Sequence, residues 1–189
     1  MRKHADAWFE SAEHLARILL GGFAVSYNRD PDYFLKTSDR PLSRASCVFY
    51  PSQQSRSGHP DQFGVGPHTD FGVLTILSQD LVGGLQVERA ANEWLDVHPN
   101  EDALIVNIGD LLCRWSNGRM RSARHRVIRP KDEDRLSLVF AYDPNPETLI
   151  DAADFALGEV SESTAITCGE YLDWRFSQAF AYRKTETAH

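Results

Sequence analysis

Five side chains, four of them in two short stretches, have types and spacing suited to chemistry. His68 and Asp70 are two residues apart, and Arg135 and Ser137 are two apart. His125 lies between these pairs, far downstream of the first. Side chains at i and i+2 of a strand share a face, so a strand carrying His68 and Asp70 would offer an imidazole and a carboxylate to one ion. A third ligand, such as His125, has to come from another strand. Two imidazoles and one carboxylate form the facial ligand set of non-haem Fe(II) sites, and zinc accepts the same donors. The spacing alone leaves the metal open. Three protein ligands on an octahedral ion leave three positions for other molecules.

Arg135 and Ser137 supply a guanidinium fork and a hydroxyl on one strand face, a geometry that holds a carboxylate. The competing reading is local: Asp132, Glu133 and Asp134 precede Arg135 and could neutralise it. The remaining histidines are assigned no role. His4, His14 and His189 are terminal or helical, His59 lies in a polar stretch, and His98 precedes Pro99 at a turn.

These residues need a scaffold that returns distant segments to one place, and the pattern provides one. Asp6 to Leu20 has helical periodicity, with Trp8, Ala12, Leu15 and Leu19 on one side, and Gly21-Gly22 is read as its end. Ala45 to Tyr50 reads as a strand stopped by Pro51. Pro51 to Pro67 is rich in Ser, Gln, Gly and Pro and reads as a long loop leading directly to His68, the kind of loop that forms lids or functional surfaces. Short strands are predicted over Val73 to Gln79, Leu85 to Glu88, Glu93 to Val97, Ala103 to Ile108, Ala123 to Ile128 and Leu136 to Tyr142. A hairpin-like connection is expected at Asp80 to Gly84 and a short helical turn over Gly109 to Trp115. Short strands at this spacing point to an antiparallel sandwich or barrel. Thr167 and Glu170 have the spacing of a capping box, opening a helix whose apolar side is Leu172, Phe176, Ala179 and Phe180. The chain is read as a single domain: a helical part over 1–44, a β core over 45–143, and a C-terminal segment and helix over 144–189.

Bulk composition narrows the partners. The chain has 189 residues, 42% hydrophobic and 25% charged, enough for one domain with a sizeable core. A net charge of −7 argues against nucleic acid, which needs a basic face. No apolar run approaches the roughly 20 residues of a membrane span. Cys47, Cys113 and Cys168 form no even framework; they are read as small core residues of a reduced, cytoplasmic protein.

The wider text is specific. His68-Thr69-Asp70-Phe71-Gly72-Val73-Leu74-Thr75, Gly84-Leu85-Gln86-Val87, Val106-Asn107-Ile108-Gly109-Asp110-Leu111-Leu112, Arg114-Trp115-Ser116-Asn117-Gly118, His125-Arg126-Val127 and Arg135-Leu136-Ser137 occur in this order. The series resembles the isopenicillin-N-synthase-like family of Fe(II)/2-oxoglutarate-dependent dioxygenases. The resemblance runs from about Ala45 to Tyr142. It implies a mainly β fold with flanking helices, the double-stranded β-helix or jelly roll. It implies Fe(II) on His68, Asp70 and His125, with O2 and 2-oxoglutarate as co-substrates. The far carboxylate of 2-oxoglutarate would rest on Arg135 and Ser137, with Tyr50 also in contact. Tyr50 matches the tyrosine of the family's Asn-x-Tyr motif, whose asparagine is replaced here by Val48.

The implied reaction hydroxylates, or desaturates or cyclises, a small organic molecule and releases succinate and CO2. Retention of Asp70 points to oxygen insertion rather than halogenation. Members that use the Arg-x-Ser pair without 2-oxoglutarate, and a catalytically silent binding module, are the alternatives. Family members carry a further N-terminal region, so the site here is expected to be more open. Substrate and oligomeric state are not legible in the sequence.

Overall fold

The computed structural model describes residues 2–54, 63–155 and 165–179. Its elements are α1 (Arg2–Ser26), β1 (Arg44–Tyr50), β2 (Phe63–His68), β3 (Leu74–Gln79), β4 (Leu85–Ala90), β5 (Glu93–Asp96), β6 (Ile105–Ile108), α2 (Asp110–Trp115), β7 (His125–Ile128), β8 (Arg135–Tyr142), β9 (Leu149–Ile150), a 3₁₀ turn over Ala152–Phe155, β10 (Ile166–Thr167) and α3 (Cys168–Ala179).

Two four-stranded antiparallel sheets form the body, in the orders β1-β8-β3-β6 and β2-β7-β4-β5. The chain alternates between them through β1, β2, β3 and β4, and again through β6, β7 and β8. That alternation is the winding of a double-stranded β-helix, as the motif order implied. The inner face of β8 carries Arg135, Ser137 and Val139, opposite Tyr50, Val48 and Ser46 of β1. Its outer face carries Phe140, whose ring meets Phe9 of α1 at 5.1 Å. The main core lies on this outer side, where Ala12, Ala16, Leu20 and Ala24 of α1 bury against Leu74, Ile76, Phe140 and Tyr142. Between the sheets, among the described residues, a smaller cluster buries Tyr50, Leu77, Leu85 and Val127, with Val48, Val65, Val97, Ile105 and Val139 packed against it. The space beside it belongs to the site.

Several expectations are corrected. α1 does not end at Gly21-Gly22 but continues to Ser26. The buried row Ala12, Ala16, Leu20, Ala24 runs on at four-residue spacing across both glycines, and packing of that row outweighs their poor propensity. The real stop is Asn28, at φ 58°: its N–H bonds to Val25 O, and the Arg29 N–H bonds to Ala24 O, a Schellman closure. The Pro51 to Pro67 loop is shortened by β2, which pairs with β7 over part of its length. Residues 55–62 of that stretch lie outside the described residues.

Asp80 to Gly84 is not a hairpin, because β3 and β4 belong to different sheets. Cys47 is exposed on the edge strand β1, Cys113 is half-buried, and only Cys168 is a core residue. The capping box opens α3 as expected: Thr167 Oγ1 accepts from the Glu170 N–H at 3.2 Å, and Glu170 Oε2 accepts from the Thr167 N–H at 3.1 Å. Leu172 is buried and Phe176 packs on the core. Ala179, however, is exposed because the buried side of the helix runs through Cys168, Tyr171 and Leu172. Phe180 lies outside the described residues. No helix among the described residues is long and apolar enough to cross a membrane.

Candidate active site

His68 and His125 are direct cross-strand partners in the β2–β7 ladder, so both imidazoles leave the same sheet face, ring centroids 4.3 Å apart. Each ring is oriented by its own backbone. His68 Nδ1 lies 2.9 Å from Gly66 O, and His125 Nδ1 lies 3.1 Å from Ala123 O. A carbonyl can only accept, so both Nδ1 atoms donate, and Nε2 is the atom each ring has left to offer a metal. Asp70 completes the group. Its Oδ1 is 3.9 Å from His68 Nε2 and 3.8 Å from His125 Nε2, and the three ligand atoms lie within 4.8 Å of one another. Burial, and next the neighbouring His125, hold the His68 imidazole below its ordinary range, which favours the neutral, ligating form.

Asp70 is not on a strand, contrary to the i, i+2 argument. β2 ends at His68, and Asp70 sits in the following loop. Its place is set by hydrogen bonds instead. The Asp110 N–H at the start of α2 donates to Asp70 O at 2.7 Å, and the Leu111 N–H donates to Gly72 O at 3.0 Å. Asn107 Nδ2 donates to Asp70 Oδ2 at 3.2 Å, leaving Oδ1 toward the histidines.

Two glycines permit this closeness. A Cβ on Gly109 would lie 2.0 Å from Gly72 O, and one on Gly72 would lie 2.1 Å from Asp143 Oδ1. Asp143 is wholly buried, accepts from the Val73 N–H at 2.7 Å and pairs with Arg44 at 3.0 Å. Burial raises its pKa above the ordinary value, while Arg44 and the Val73 N–H pull it back.

The Arg-x-Ser pair lines the same cavity. Arg135 is 1% exposed. Its Nη2 donates to Gln79 Oε1 at 3.0 Å, its Nη1 donates to Ser137 Oγ at 3.4 Å, and its guanidinium lies 4.7 Å from the Tyr50 ring. The acidic turn before it is otherwise engaged: Asp134 accepts from the Ser52 N–H and Asp132 from Gln54. Arg135 therefore has no carboxylate partner among the described residues, and its Nε has no hydrogen-bond partner there. A buried cation without a counter-ion is costly, and a bound carboxylate would remove that cost.

The cavity, about 200 Å³, is lined by His68, Asp70, His125, Arg135, Ser137 and Tyr50, so all six residues expected at the site come together. Val48 faces Ser137 across the β1–β8 ladder. A second chamber of about 220 Å³ shares His68 and Asp70 and extends the other way, to Arg44, Ser46, Phe71 and Phe176. His4, His14 and His98 are exposed and remote from this group. His59 and His189 lie outside the described residues. Sequence reasoning assigned no role to Asn107, Gln79, Asp110 or Asp143. The polar Asn107 and Asp110 beside Gly109, ending an apolar strand, were the one signal for two of them.

Residues 23–144 match the model of the 2OG-Fe(II) oxygenase superfamily. The chain belongs to this superfamily. It is 30% identical over 190 residues to the 2-oxoglutarate-Fe(II) type oxidoreductase hxnY of Emericella nidulans, covering 97% of the chain and 54% of that relative. It is 33% identical over 181 residues to clavatol oxidase claD of Penicillium crustosum, covering 93% and 53%. Among solved structures, it resembles a full-length Neurospora crassa protein in complex with alpha-KG and thymine, with a TM-score of 0.85, 30% identity, and 95% of this chain and 57% of that chain covered. The chain spans about half the length of the curated relatives it matches. The superfamily's name accounts for the donor set: two imidazoles with oriented rings and a carboxylate with one oxygen toward them suit Fe(II).

Proposed function

We propose that this chain is an Fe(II)- and 2-oxoglutarate-dependent oxygenase that hydroxylates or desaturates a small organic substrate. For hydroxylation the balance is R–H, O2 and 2-oxoglutarate giving R–OH, succinate and CO2. His68, Asp70 and His125 hold the iron. Arg135 and Ser137 take the far carboxylate of 2-oxoglutarate, with Tyr50 against the guanidinium. Iron, when bound, supplies the redox chemistry; the protein orients the ligands, excludes water and places the two substrates.

The observation that carries the reading is Arg135, buried with no carboxylate partner among the described residues in the cavity that the three ligands line. The second chamber, lined by His68 and Asp70 and walled in part by Phe71 and Phe176, supports a small substrate with an apolar body beside the ligands that would hold the metal. The order of motifs supports placement among the isopenicillin-N-synthase-like enzymes. Three unpaired cysteines support a reducing, cytoplasmic setting, and the continuous core supports one catalytic domain.

The test is an anaerobic titration of Fe(II) and then 2-oxoglutarate, followed by visible absorption. A new absorption band that requires both, and succinate on admitting O2, are the expected results. Oxygen consumption without succinate would instead indicate an oxidase that does not use 2-oxoglutarate.

A further inference from the structure

The last helix reaches the metal-ligand loop through a chain of polar contacts. Arg175 Nη2 of α3 lies 2.8 Å from Asp110 Oδ2. The same oxygen accepts from Thr69 Oγ1 at 2.9 Å. Thr69 stands between the ligands His68 and Asp70. Asp110 thus grips the loop twice, with its carboxylate on the Thr69 hydroxyl and its N–H on Asp70 O at 2.7 Å.

Arg175 is the cation paired with that carboxylate, and both side chains are largely shielded, 25% and 18% exposed. The same guanidinium covers the Phe71 ring at 4.3 Å, one residue past Asp70. Phe71 meets Phe176 edge-on at 5.7 Å, and Arg44 covers Phe176 at 5.3 Å. Thr69, Asp110 and Arg175 belong to neither apolar core cluster. Their contacts converge on the loop that carries Asp70.

Resting on the metal reading above, we propose that Arg175 is a positioning residue for the metal centre. Through Asp110 it fixes Thr69 and the backbone of Asp70, so that docking of α3 and binding of the metal are coupled. Such coupling is reciprocal. The docked helix tightens the metal site, and the metal steadies the helix.

The experiment titrates Co(II), as a visible probe, into the full chain and follows hydrogen exchange over residues 168–179 with and without the metal. Arg175→Gln should weaken Co(II) binding by roughly 10–100-fold, the range for groups that orient metal ligands. It should also shift the visible bands, and Asp70→Ala, which leaves the Arg175–Asp110 pair in place, should lose Co(II) without loosening α3 in the metal-free protein. Co(II) should slow exchange in α3 of the wild type but not of Arg175→Gln, and Arg175→Lys should recover part of the affinity. Thr69→Val removes one hydrogen bond and leaves the α3 contacts in place. It should weaken Co(II) binding as well, and it keeps the test decisive if Arg175→Gln does not fold. Wild-type affinity and bands in the folded variants, or α3 exchange indifferent to Co(II), overturn the proposal. Failure of the wild type to bind Co(II), or undiminished binding by Asp70→Ala, overturns the metal assignment itself.

Discussion

Under the proposed function Asp70 and Arg135 do different work, and their substitutions should fail differently. Asp70 supplies the carboxylate that faces both imidazoles. Asp70→Ala, like His125→Ala, should abolish metal binding and turnover with the fold retained, as judged by circular dichroism and metal titration; an active Asp70→Ala enzyme in an oxygen-consumption assay would remove the iron assignment. Arg135→Gln should bind Fe(II) normally and need more than tenfold more 2-oxoglutarate, about 1.4 kcal/mol of lost binding. An unchanged 2-oxoglutarate titration would place the co-substrate elsewhere. Five of the six residues lining the cavity were legible in compact stretches, His68 with Asp70, Arg135 with Ser137 and Tyr50 before Pro51, and His125 through the order of motifs. Asn107, Gln79, Asp110 and Arg175 were not, because they come from separate elements and each is commonplace alone. Only the fold brings Asn107 within 3.2 Å of Asp70 and Gln79 within 3.0 Å of Arg135.

At the scale of elements, local signals located most strands, but they did not say which sheet each strand enters. Turn residues at Asp80 to Gly84 mark where the chain reverses, and the same chemistry serves a hairpin or a crossing between sheets. β2 was missed because its burial is slight and its sequence, Phe-Gly-Val-Gly-Pro-His, carries two glycines and a proline. The misread end of α1 yields a prediction. Gly22 lies in an exposed position near the C-terminal end of α1, still followed by helical residues, and a Cβ there meets nothing within 4 Å. Gly22→Ala should stabilise the protein by about 0.5–1 kcal/mol, read as a rise in melting temperature of roughly 1–4 °C; destabilisation would show that the glycine is needed there. The capping box of α3 gives a pH prediction. Hydrogen bonds from the Thr167 hydroxyl and next its N–H hold the Glu170 carboxyl below its ordinary 4.5. A depressed carboxyl contributes stability above its unfolded pKa and loses it as pH falls through the folded value. The wild type should therefore melt above Glu170→Gln at pH 7, and the gap should close in acid. A gap that does not narrow as pH falls below the ordinary carboxyl range would assign the difference to something other than this charge.

For the molecule as a whole, the two sheets meet across a thin core, and the site bridges them. His68 and His125 belong to the sheet of β2 and β7, whereas Arg135, Ser137 and Tyr50 belong to the sheet of β1 and β8. Among the described residues, Tyr50, Leu77, Leu85 and Val127 form the buried cluster between them, with partly buried valines and Ile105 against it. A metal bound to the first sheet and a dicarboxylate reaching from that metal to Arg135 would tie the sheets together as an apolar contact does elsewhere. Stability should then rise in order. Metal alone gives a first increment. 2-Oxoglutarate gives a second when metal is present, and little without it. At a hundredfold excess over the dissociation constant, one such ligand adds about 2.7 kcal/mol, which for a domain of this size is roughly 5–11 °C in melting temperature. Arg135→Gln should keep the first increment and lose most of the second, because the metal ligands stay intact while the far carboxylate has no cation to meet. Thermal unfolding with a redox-inert divalent ion in place of iron reads both increments without turnover. A second increment that survives Arg135→Gln, or one that needs no metal, would mean that 2-oxoglutarate does not span the two sheets.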